Sequence, residues 1–191
     1  WWPNGMGDPA LYTCRLVFET DGRQSDARTV TFGIREYGYE WHDGIFRLKI
    51  NGEPVYVKGG NWGMSEWLLR CRGEEYDTRV ALHRHMHFNM IRNWIGSTTD
   101  DEFYEACDRY GIMVFDDFWL NSHPNLPDDV FAFNRNAVEK IKRLRNHPSI
   151  AVWCGDNEGV PLAPLNEWLR EDVKAFDGGD RWYQPISREY G

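Results

Sequence analysis

Hydrophobic and polar residues alternate along this chain in two distinct ways, and the first of them occupies residues 1–40. There, short runs of β-branched and aromatic residues predict strands over 11–18 and 29–34, with a turn at Asp21-Gly22 between them. So few strands cannot bury a stable core by themselves. We therefore expect this region to be the later part of a β-domain whose earlier strands precede it.

The second pattern begins with a predicted hairpin. Its strands cover 46–50 and 55–58, and Asn51-Gly52 is a favoured two-residue turn between them. From there, short apolar runs alternate with stretches of helical periodicity. The predicted strands are 55–60, 90–94, 112–118, 150–155 and 182–186, and the predicted helices are 77–88, 100–110, 131–145 and 165–176.

Helix-end signals are clearest around the second predicted helix. Thr99 followed by Glu102 predicts a capping box, and Gly111 predicts the end of the helix. The apolar residues between them share one face: Phe103, Ala106, Cys107 and Tyr110.

Strand–helix alternation of this kind predicts right-handed βαβ units and a parallel sheet. Five strands and four helices are just over half of a (β/α)8 TIM barrel. The alternative is an open doubly wound sheet, although no GxGxxG or P-loop motif follows the first strand. The predicted fold class is therefore α/β, a partial (β/α)8 barrel.

The run from Ile150 to Glu158 is the strongest indication of a functional site. It begins as a continuous apolar segment between Pro148 and Gly155, which predicts a strand buried on both faces. It ends in Asp156-Asn157-Glu158, where parallel-sheet enzymes place their chemistry. The alternative is that these polar residues form a solvated loop.

Polar and aromatic residues also end the other predicted strands, and this combination suits a sugar with many hydroxyl groups. Cleavage of a glycosidic bond needs a carboxyl group that protonates the leaving oxygen and a second one across the bond. Glu158 is the candidate acid, and Asn157 is a candidate contact to a substrate hydroxyl. The other strand ends are Asn61-Trp62, Arg92-Asn93-Trp94, Asp116-Asp117 and Ser187-Arg188-Glu189.

Arg92, Asp116 and Asp117 admit more than one interpretation. A buried arginine must be paired, and an inward carboxylate of the site is the available partner, although an ion pair that only joins strands is an alternative. Adjacent strand residues point to opposite faces, so at most one of the two aspartates faces the pocket. Their alternatives are structural roles or a metal site.

The motif His83-x-His85-x-His87 places two histidines at a metal-ligand spacing on one helical face. Because that face belongs to an outer helix and no Glu stands between them as in HExxH, we expect neither a metal nor another cofactor. A metal-dependent barrel hydrolase using these histidines with the aspartates stays an alternative.

Composition narrows the classes of partner. The net charge of -8 provides no basic patch for nucleic acid, and no apolar run is long enough to cross a bilayer. The cysteines form no paired CxxC element, so a zinc ribbon or disulfide scaffold is not expected. Because the chain starts at Trp1 without an initiator Met or a signal sequence, we expect a piece of a longer polypeptide.

Motifs in a fixed order run through nearly the whole chain. They are Trp1-Trp2-Pro3-Asn4-Gly5 with Leu11-Tyr12; Asn51-Gly52-Glu53-Pro54-Val55 with Lys58-Gly59-Gly60-Asn61-Trp62; Asn89-Met90-Ile91-Arg92; Asp101-Glu102-Phe103-Tyr104 with Asp108-Arg109-Tyr110-Gly111-Ile112; and Arg145-Asn146-His147-Pro148-Ser149-Ile150 with Trp153-Cys154-Gly155-Asp156-Asn157-Glu158. This series resembles glycoside hydrolase family 2, in particular its β-mannosidase and exo-β-glucosaminidase branch.

The resemblance implies a multidomain retaining glycosidase. Residues 1–40 would be the C-terminal part of an immunoglobulin-like β-sandwich, and residues 41–191 the N-terminal part of the catalytic barrel. Glu158 would be the acid/base, Asn157 would contact the sugar 2-hydroxyl, and Arg92 would be the active-site arginine. The further residues predicted to bind substrate are Trp94, Asn61, Trp62, Asp116 and Asp117.

Two departures from the family pattern leave the sugar open. Asp156 stands where the mannosidase pattern commonly has Asn, and the third strand reads Phe115-Asp116-Asp117-Phe118-Trp119. An Asp in place of the acid Glu, a feature of the exo-glucosaminidases, is absent, because Glu158 is present. A β-galactosidase or β-glucuronidase type of family member, or a fragment that only binds carbohydrate, are the alternatives.

The family's nucleophile is a Glu after the seventh barrel strand, beyond the last strand predicted here, and no residue present, Glu189 included, should replace it. We therefore expect this chain alone to be inactive. Its expected partners are a carbohydrate substrate and the remaining domains of the same polypeptide. Open sheet edges make a homo-oligomer possible. The compartment is unknown, with the periplasm or secretion favoured for a bacterial source.

Overall fold

A computed structural model of the chain describes residues 1–63, 71–122 and 124–188. The described residues form ten strands and four α-helices. The strands are β1 Tyr12–Thr20, β2 Arg23–Phe32, β3 Tyr37–His42, β4 Ile45–Ile50, β5 Glu53–Pro54, β6 Gly59–Trp62, β7 Met90–Asn93, β8 Met113–Asn121, β9 Ile150–Asn157 and β10 Trp182–Ile186. The helices are α1 Glu74–His85, α2 Asp101–Tyr110, α3 Val130–Leu144 and α4 Leu165–Phe176.

The last five strands form one parallel sheet in the order β10-β9-β8-β7-β6. Each successive pair from β6 to β10 is joined through a helix, which is the βαβ repeat of a TIM barrel. The prediction of a partial barrel is confirmed. The first barrel strand begins later than predicted, at Gly59 rather than at Val55, and β8 continues three residues beyond Phe118.

A small antiparallel sheet, β3-β4-β5, precedes the barrel. The Asn51-Gly52 turn is confirmed, and both of its residues have positive φ. The predicted return strand over 55–58 is wrong, because β5 ends at Pro54 and pairs with β4 only at Lys49 and Ile50. The main partner of β4 is β3, which the sequence analysis did not predict.

This small sheet closes the N-terminal end of the barrel strands. Leu48 and Ile50 are buried in one apolar cluster with Met90 and Met113, the first residues of β7 and β8. The hydroxyl group of Tyr39 donates a hydrogen bond to the main-chain oxygen of Ala151 in β9 (2.5 Å). The opposite, C-terminal edge of the sheet is the one left for a site.

A second core lies between the parallel sheet and the helices. The predicted apolar face of α2 is confirmed, since Phe103, Ala106 and Cys107 are fully buried there. Gly111 caps the helix in the left-handed conformation, as predicted. The predicted capping box is wrong: the helix begins after Asp100, whose carboxylate accepts hydrogen bonds from Arg72 and Tyr76 instead.

Helix α1 begins and ends three residues earlier than predicted. Its apolar residues do not gather on one face, and only Tyr76 and Val80 are buried, so periodicity located its ends poorly. The helix ends at His85, and His87 has φ +63°, so the prediction that His83 and His87 share a helical face is wrong. Within the described ranges, no helix is both long and apolar enough to span a membrane.

Strands β1 and β2 form a separate two-stranded hairpin at the start of the chain. Most of their side chains are exposed, including the apolar Leu16 and Phe18. The domain boundary between residues 40 and 41 stays a prediction, and it falls inside β3, whose pairing with β4 runs on both sides of it.

Candidate active site

Three predicted side chains meet at the C-terminal edge of the parallel sheet. Arg92 in β7 binds Asp117 in β8 through two hydrogen bonds, Nε to Oδ1 at 3.1 Å and Nη2 to Oδ2 at 2.6 Å. The same Nη2 donates to Oδ1 of Asn157, the last residue of β9, at 2.9 Å. Three neighbouring strands therefore each contribute one polar side chain to a single cluster, here called the Arg92 cluster.

Burial dominates the electrostatics of this cluster. The Asp117 side chain is fully buried and that of Arg92 is 17% exposed. Loss of solvent raises the pKa of Asp117 to about 6, although the Arg92 guanidinium acts in the opposite direction. The fork of two hydrogen bonds fixes the guanidinium plane, which in turn orients the Asn157 amide.

Asn157 and Glu158 lie where β9 leaves the sheet. The Asn157 Nδ2 donates to Oδ1 of Asn121 at 2.7 Å, so both ends of its amide are held. Glu158 is exposed and has φ +64°, an uncommon conformation for a residue with a side chain. Its main-chain N–H donates to the Ser187 hydroxyl at 3.1 Å. The backbone of Glu158 is therefore fixed while its carboxylate is exposed, and the Asn157 amide is held beside it.

Two further predicted residues lie on β6 and directly after β7. Asn61 of β6 is the register partner of Arg92, so both side chains point to the same face of the sheet, and Asn61 is exposed. Trp94 is half-buried and opens a short 3-10 turn directly after β7. Both positions are compatible with the predicted contact to a substrate.

Trp62 does not line this site, which corrects the prediction for that residue. Its ring packs between the sheet and the helices, 5.6 Å from the ring of Phe103. Its Nε1 donates to the Thr98 hydroxyl at 2.9 Å, and the residue is only 7% exposed. The reason is strand alternation, because Trp62 follows Asn61 and so points to the opposite face.

Asp116 is likewise outside the Arg92 cluster, and its predicted substrate contact is corrected in the same way. It is fully buried on the outer face of the sheet, where Lys140 of α3 donates to its Oδ1 at 2.8 Å. Asn93 Nδ2 and the Tyr104 hydroxyl donate to the same carboxylate at 2.9 and 2.8 Å. The two aspartates point to opposite faces of the sheet, as strand alternation predicts, and Asp117 is the one on the face of the Arg92 cluster.

Some contributors to the site were not among the predicted residues. Asn121 ends β8 and holds the Asn157 amide, while Ser122 binds the Asn157 main-chain oxygen through its hydroxyl at 2.6 Å. Both follow a strand that was predicted to end at Phe118, so the polar residues at its true end were overlooked. Glu189, which was considered and set aside as a nucleophile, lies outside the described residues.

The residues of the metal-site alternative make other contacts in the structure. Among the described residues, no group of three or more His, Cys, Asp or Glu side chains could hold a metal ion. His83 packs edge-on against Trp62, and its Nδ1 lies 2.8 Å from the Arg79 main-chain oxygen. Asp116 lies on the outer face of the sheet, where its carboxylate accepts hydrogen bonds from Lys140, Asn93 and Tyr104.

Comparison with known proteins gives several matches. A mannosylglycoprotein endo-beta-mannosidase from Lilium longiflorum is 39% identical and matches 91% of this chain but 20% of its own length. The crystal structure of a beta-D-mannosidase from Dictyoglomus thermophilum superposes with a TM-score of 0.82 at 34% identity, covering all of this chain and 28% of that one. An exo-chitosanase from Amycolatopsis orientalis has the same fold, with a TM-score of 0.83 at 21% identity over 97% of this chain and 23% of that one.

The chain thus spans between 20% and 28% of the length of these proteins. A family model for the TIM barrel domain of glycosyl hydrolases family 2 matches residues 46–178, most of the chain. The matched range contains the parallel strands β6 to β9 and the whole Arg92 cluster. The chain therefore belongs to glycoside hydrolase family 2, and residues 46–178 are part of its TIM barrel domain.

Proposed function

We propose that this chain is part of a retaining exo-β-glycosidase that removes terminal β-linked sugars, in the first place β-mannosides. The observation that carries the proposal is the placement of Asn157 and Glu158. The amide of Asn157 is held by Arg92 and Asn121, and the exposed carboxylate of Glu158 follows it directly at the C-terminal edge of the barrel strands.

Glu158 is the proposed acid/base. In the first step its carboxyl group donates a proton to the glycosidic oxygen while a second carboxylate attacks the anomeric carbon. The bond to the leaving sugar breaks, and a glycosyl ester forms. In the second step the Glu158 carboxylate takes a proton from water, which attacks the anomeric carbon and releases the enzyme carboxylate.

The nucleophilic carboxylate is proposed to lie in polypeptide outside this chain. Asp117 does not fit that role, because its carboxylate is fully buried and both of its oxygens accept hydrogen bonds from Arg92. This chain alone is therefore expected to bind or orient a sugar without hydrolysing its glycosidic bond.

The Arg92 cluster is proposed to bind and recognise the sugar. The Asn157 Oδ1 accepts from Arg92 and, at 3.4 Å, from the Ser187 hydroxyl, and its Nδ2 donates to Asn121. The second N–H of the Asn157 amide is left to donate to a hydroxyl group such as the sugar 2-hydroxyl. Asn61 shares the face of Arg92, and Trp94 directly follows β7. An amide and a ring at these positions suit the polar and apolar sides of a sugar.

The named relatives favour mannose over the alternative sugars. The lily protein, at 39% identity, and the Dictyoglomus protein, at 34%, are both named as mannosidases. The lily protein is an endo-acting enzyme by name, so internal cleavage of a mannosylglycoprotein is the second candidate. Assays of the full-length protein on nitrophenyl β-mannoside, β-glucosaminide, β-galactoside and β-glucuronide, and on a mannosylglycoprotein, separate these possibilities.

The acid/base role is tested by Glu158→Gln in the full-length protein. We expect kcat/KM on a β-mannoside to fall about 10²- to 10⁴-fold, because the proton donor and base are lost. Glu171→Gln, an exposed carboxylate on α4, is the matched control and should keep its activity. A Glu158→Gln enzyme with unchanged turnover would contradict the assignment.

Glu158→Ala provides a check that does not depend on loss of activity. On nitrophenyl β-mannoside the nitrophenolate leaves without protonation, so the glycosyl ester still forms in this variant. Azide can then attack the ester without help from a base, and it should restore turnover and yield a glycosyl azide. If azide gives no rescue while the variant is folded, Glu158 is not the acid/base.

A further inference from the structure

The outer face of the sheet carries a second polar cluster directly behind the Arg92 cluster. Asp116 is at its centre and accepts hydrogen bonds from Asn93, Tyr104 and Lys140. Asn93 follows Arg92 in β7, and Asp116 precedes Asp117 in β8. Because neighbouring strand residues point to opposite faces, the two clusters are attached back to back to the same two strands.

Lys140 is the one member of this outer cluster whose side chain, among the described hydrogen bonds, reaches the main chain of a residue in the Arg92 cluster. Its Nζ donates to Asp116 Oδ1 and to the main-chain oxygen of Asp117, both at 2.8 Å. The Lys140 side chain is only 3% exposed, and that of Asp116 is fully buried. One ammonium group therefore joins helix α3 to the backbone that carries the Asp117 carboxylate.

This contact occurs where β8 departs from regular pairing. The register between β8 and β9 shifts between Asp117 and Leu120, and Trp119 has φ +57°. The Asp117 oxygen also faces Gly96, where a Cβ atom would come within 2.3 Å of it. At such a bulge the ladder alone does not define the strand, so a side-chain donor from outside the sheet has a direct effect on where Asp117 lies.

We propose that Lys140 is a positioning residue for the reaction: from the outer face of the barrel it holds the Asp117 backbone, and thereby the orientation of Arg92 and Asn157 around the sugar. This inference rests on the proposed function. Lys140 does not touch the substrate. It acts through Asp117, which fixes the Arg92 guanidinium, which in turn fixes the Asn157 amide.

Stability alone does not require this arrangement. Removing one partner of a buried ion pair is strongly destabilising, whereas replacing both by neutral, well-packed residues of similar size is often close to neutral for stability. The ion pair of Lys140 with Asp116 and its hydrogen bond to the Asp117 main-chain oxygen can therefore be separated by substitution. Neutralising both partners removes the charges, and the choice of residue at position 140 then decides whether a donor still reaches the Asp117 oxygen.

The experiment compares two double variants of the full-length protein, Asp116→Asn with Lys140→Gln and Asp116→Asn with Lys140→Met. Both remove the buried charges and keep a long side chain, but only Gln retains an N–H donor. Steady-state kinetics on a β-mannoside, thermal unfolding and the pH profile of kcat/KM are measured for both.

For the variant with Gln at position 140 (the Gln pair), we expect kcat to stay within about threefold of the unaltered enzyme. For the variant with Met there (the Met pair), we expect kcat to fall about tenfold or more with little change in KM. The two should unfold at similar temperatures. The acidic limb of the Met pair should move to higher pH, because a looser contact with Arg92 lets the pKa of Asp117 rise further.

Equal kcat values for the two folded double variants would overturn the proposal. A Met pair that unfolds while the Gln pair folds would also overturn it, because the contact would then be structural. If neither double variant folds, the kinetics of Lys140→Arg provide the test. This variant keeps a positive charge opposite Asp116 but displaces the donor from the Asp117 main-chain oxygen. Unchanged kcat and KM in Lys140→Arg would overturn the proposal. Absence of glycosidase activity in the unaltered protein would instead contradict the proposed function.

Discussion

At the scale of single residues, Asp117 combines full burial with a defined partner. Its carboxylate is out of contact with solvent, and Arg92 supplies two hydrogen bonds to it. Burial nevertheless has the larger effect and raises the pKa of Asp117 to about 6. The folded protein therefore binds this proton more tightly than the unfolded chain does.

The upward shift in the pKa of Asp117 predicts how the free energy of unfolding changes with pH. Because the pKa of Asp117 is higher in the folded state, its contribution to the free energy of unfolding is largest at low pH and is lost as pH rises from about 4 to about 6. The loss is on the order of 3 kcal/mol for a shift of about two pKa units. Urea unfolding of the unaltered protein and of Asp117→Asn at pH about 4 and about 7 measures it. Identical pH dependence in both would contradict the prediction.

At the scale of elements, the β3-β4-β5 sheet closes one end of the barrel and leaves the other end to the site. Its inward residues Leu48 and Ile50 share one apolar cluster with Met90 and Met113, and with Ala151 and Val152 of β9. The hydroxyl groups of Tyr37 and Tyr39 donate to main-chain oxygens of the same region. The small sheet thus supplies apolar contacts to the strand ends opposite the Arg92 cluster.

Substitutions on β4 test this role. Ile50 is fully buried, so Ile50→Ala should lower the free energy of unfolding by about 2–5 kcal/mol, through lost burial and the cavity left behind. Ile45 lies on the same strand but is 58% exposed, and Ile45→Ala should change stability by less than about 0.5 kcal/mol. Chemical denaturation of both variants provides the measurement. Equal effects would mean that the small sheet does not seal the barrel end.

At the scale of the whole molecule, the five described parallel strands form an open sheet rather than a closed barrel. Strands β6 and β10 are its two edges, and each pairs with only one neighbour among the described strands. The β1-β2 hairpin adds an exposed apolar face that includes Leu16 and Phe18. Open edges and contiguous apolar surface both favour pairing with other protein.

We therefore expect this chain, expressed by itself, to associate with further copies. Light scattering after size exclusion, at low and high protein concentration, should show a mass that grows with concentration. The double variant Leu16→Glu with Phe18→Glu places charge on the hairpin face and should shift the distribution towards the monomer. A monomer of unchanged mass at every concentration would refute the expectation.

Sequence patterns alone located the barrel repeat and most of its element ends. Helix α4 has the predicted bounds, and α3 and β9 agree within one or two residues, because each has a clear apolar pattern with Pro or Gly near its end. Strand β3 was missed, although its aromatic residues Tyr37, Tyr39 and Trp41 recur with period two. Helix α1 was predicted three residues too late in the chain, since its sequence has no clear apolar face.

The sequence by itself determined which strand ends carry polar residues, and therefore that Arg92, Asn157 and Glu158 belong to one edge of one sheet. Only the tertiary structure decided that Asp117 rather than Asp116 joins Arg92, and that Trp62 belongs to the outer core. The physical reason is that both faces of a parallel sheet are buried. Alternation then shows that neighbours point apart, but the identity of the inward residue depends on packing against Lys140 and the helices.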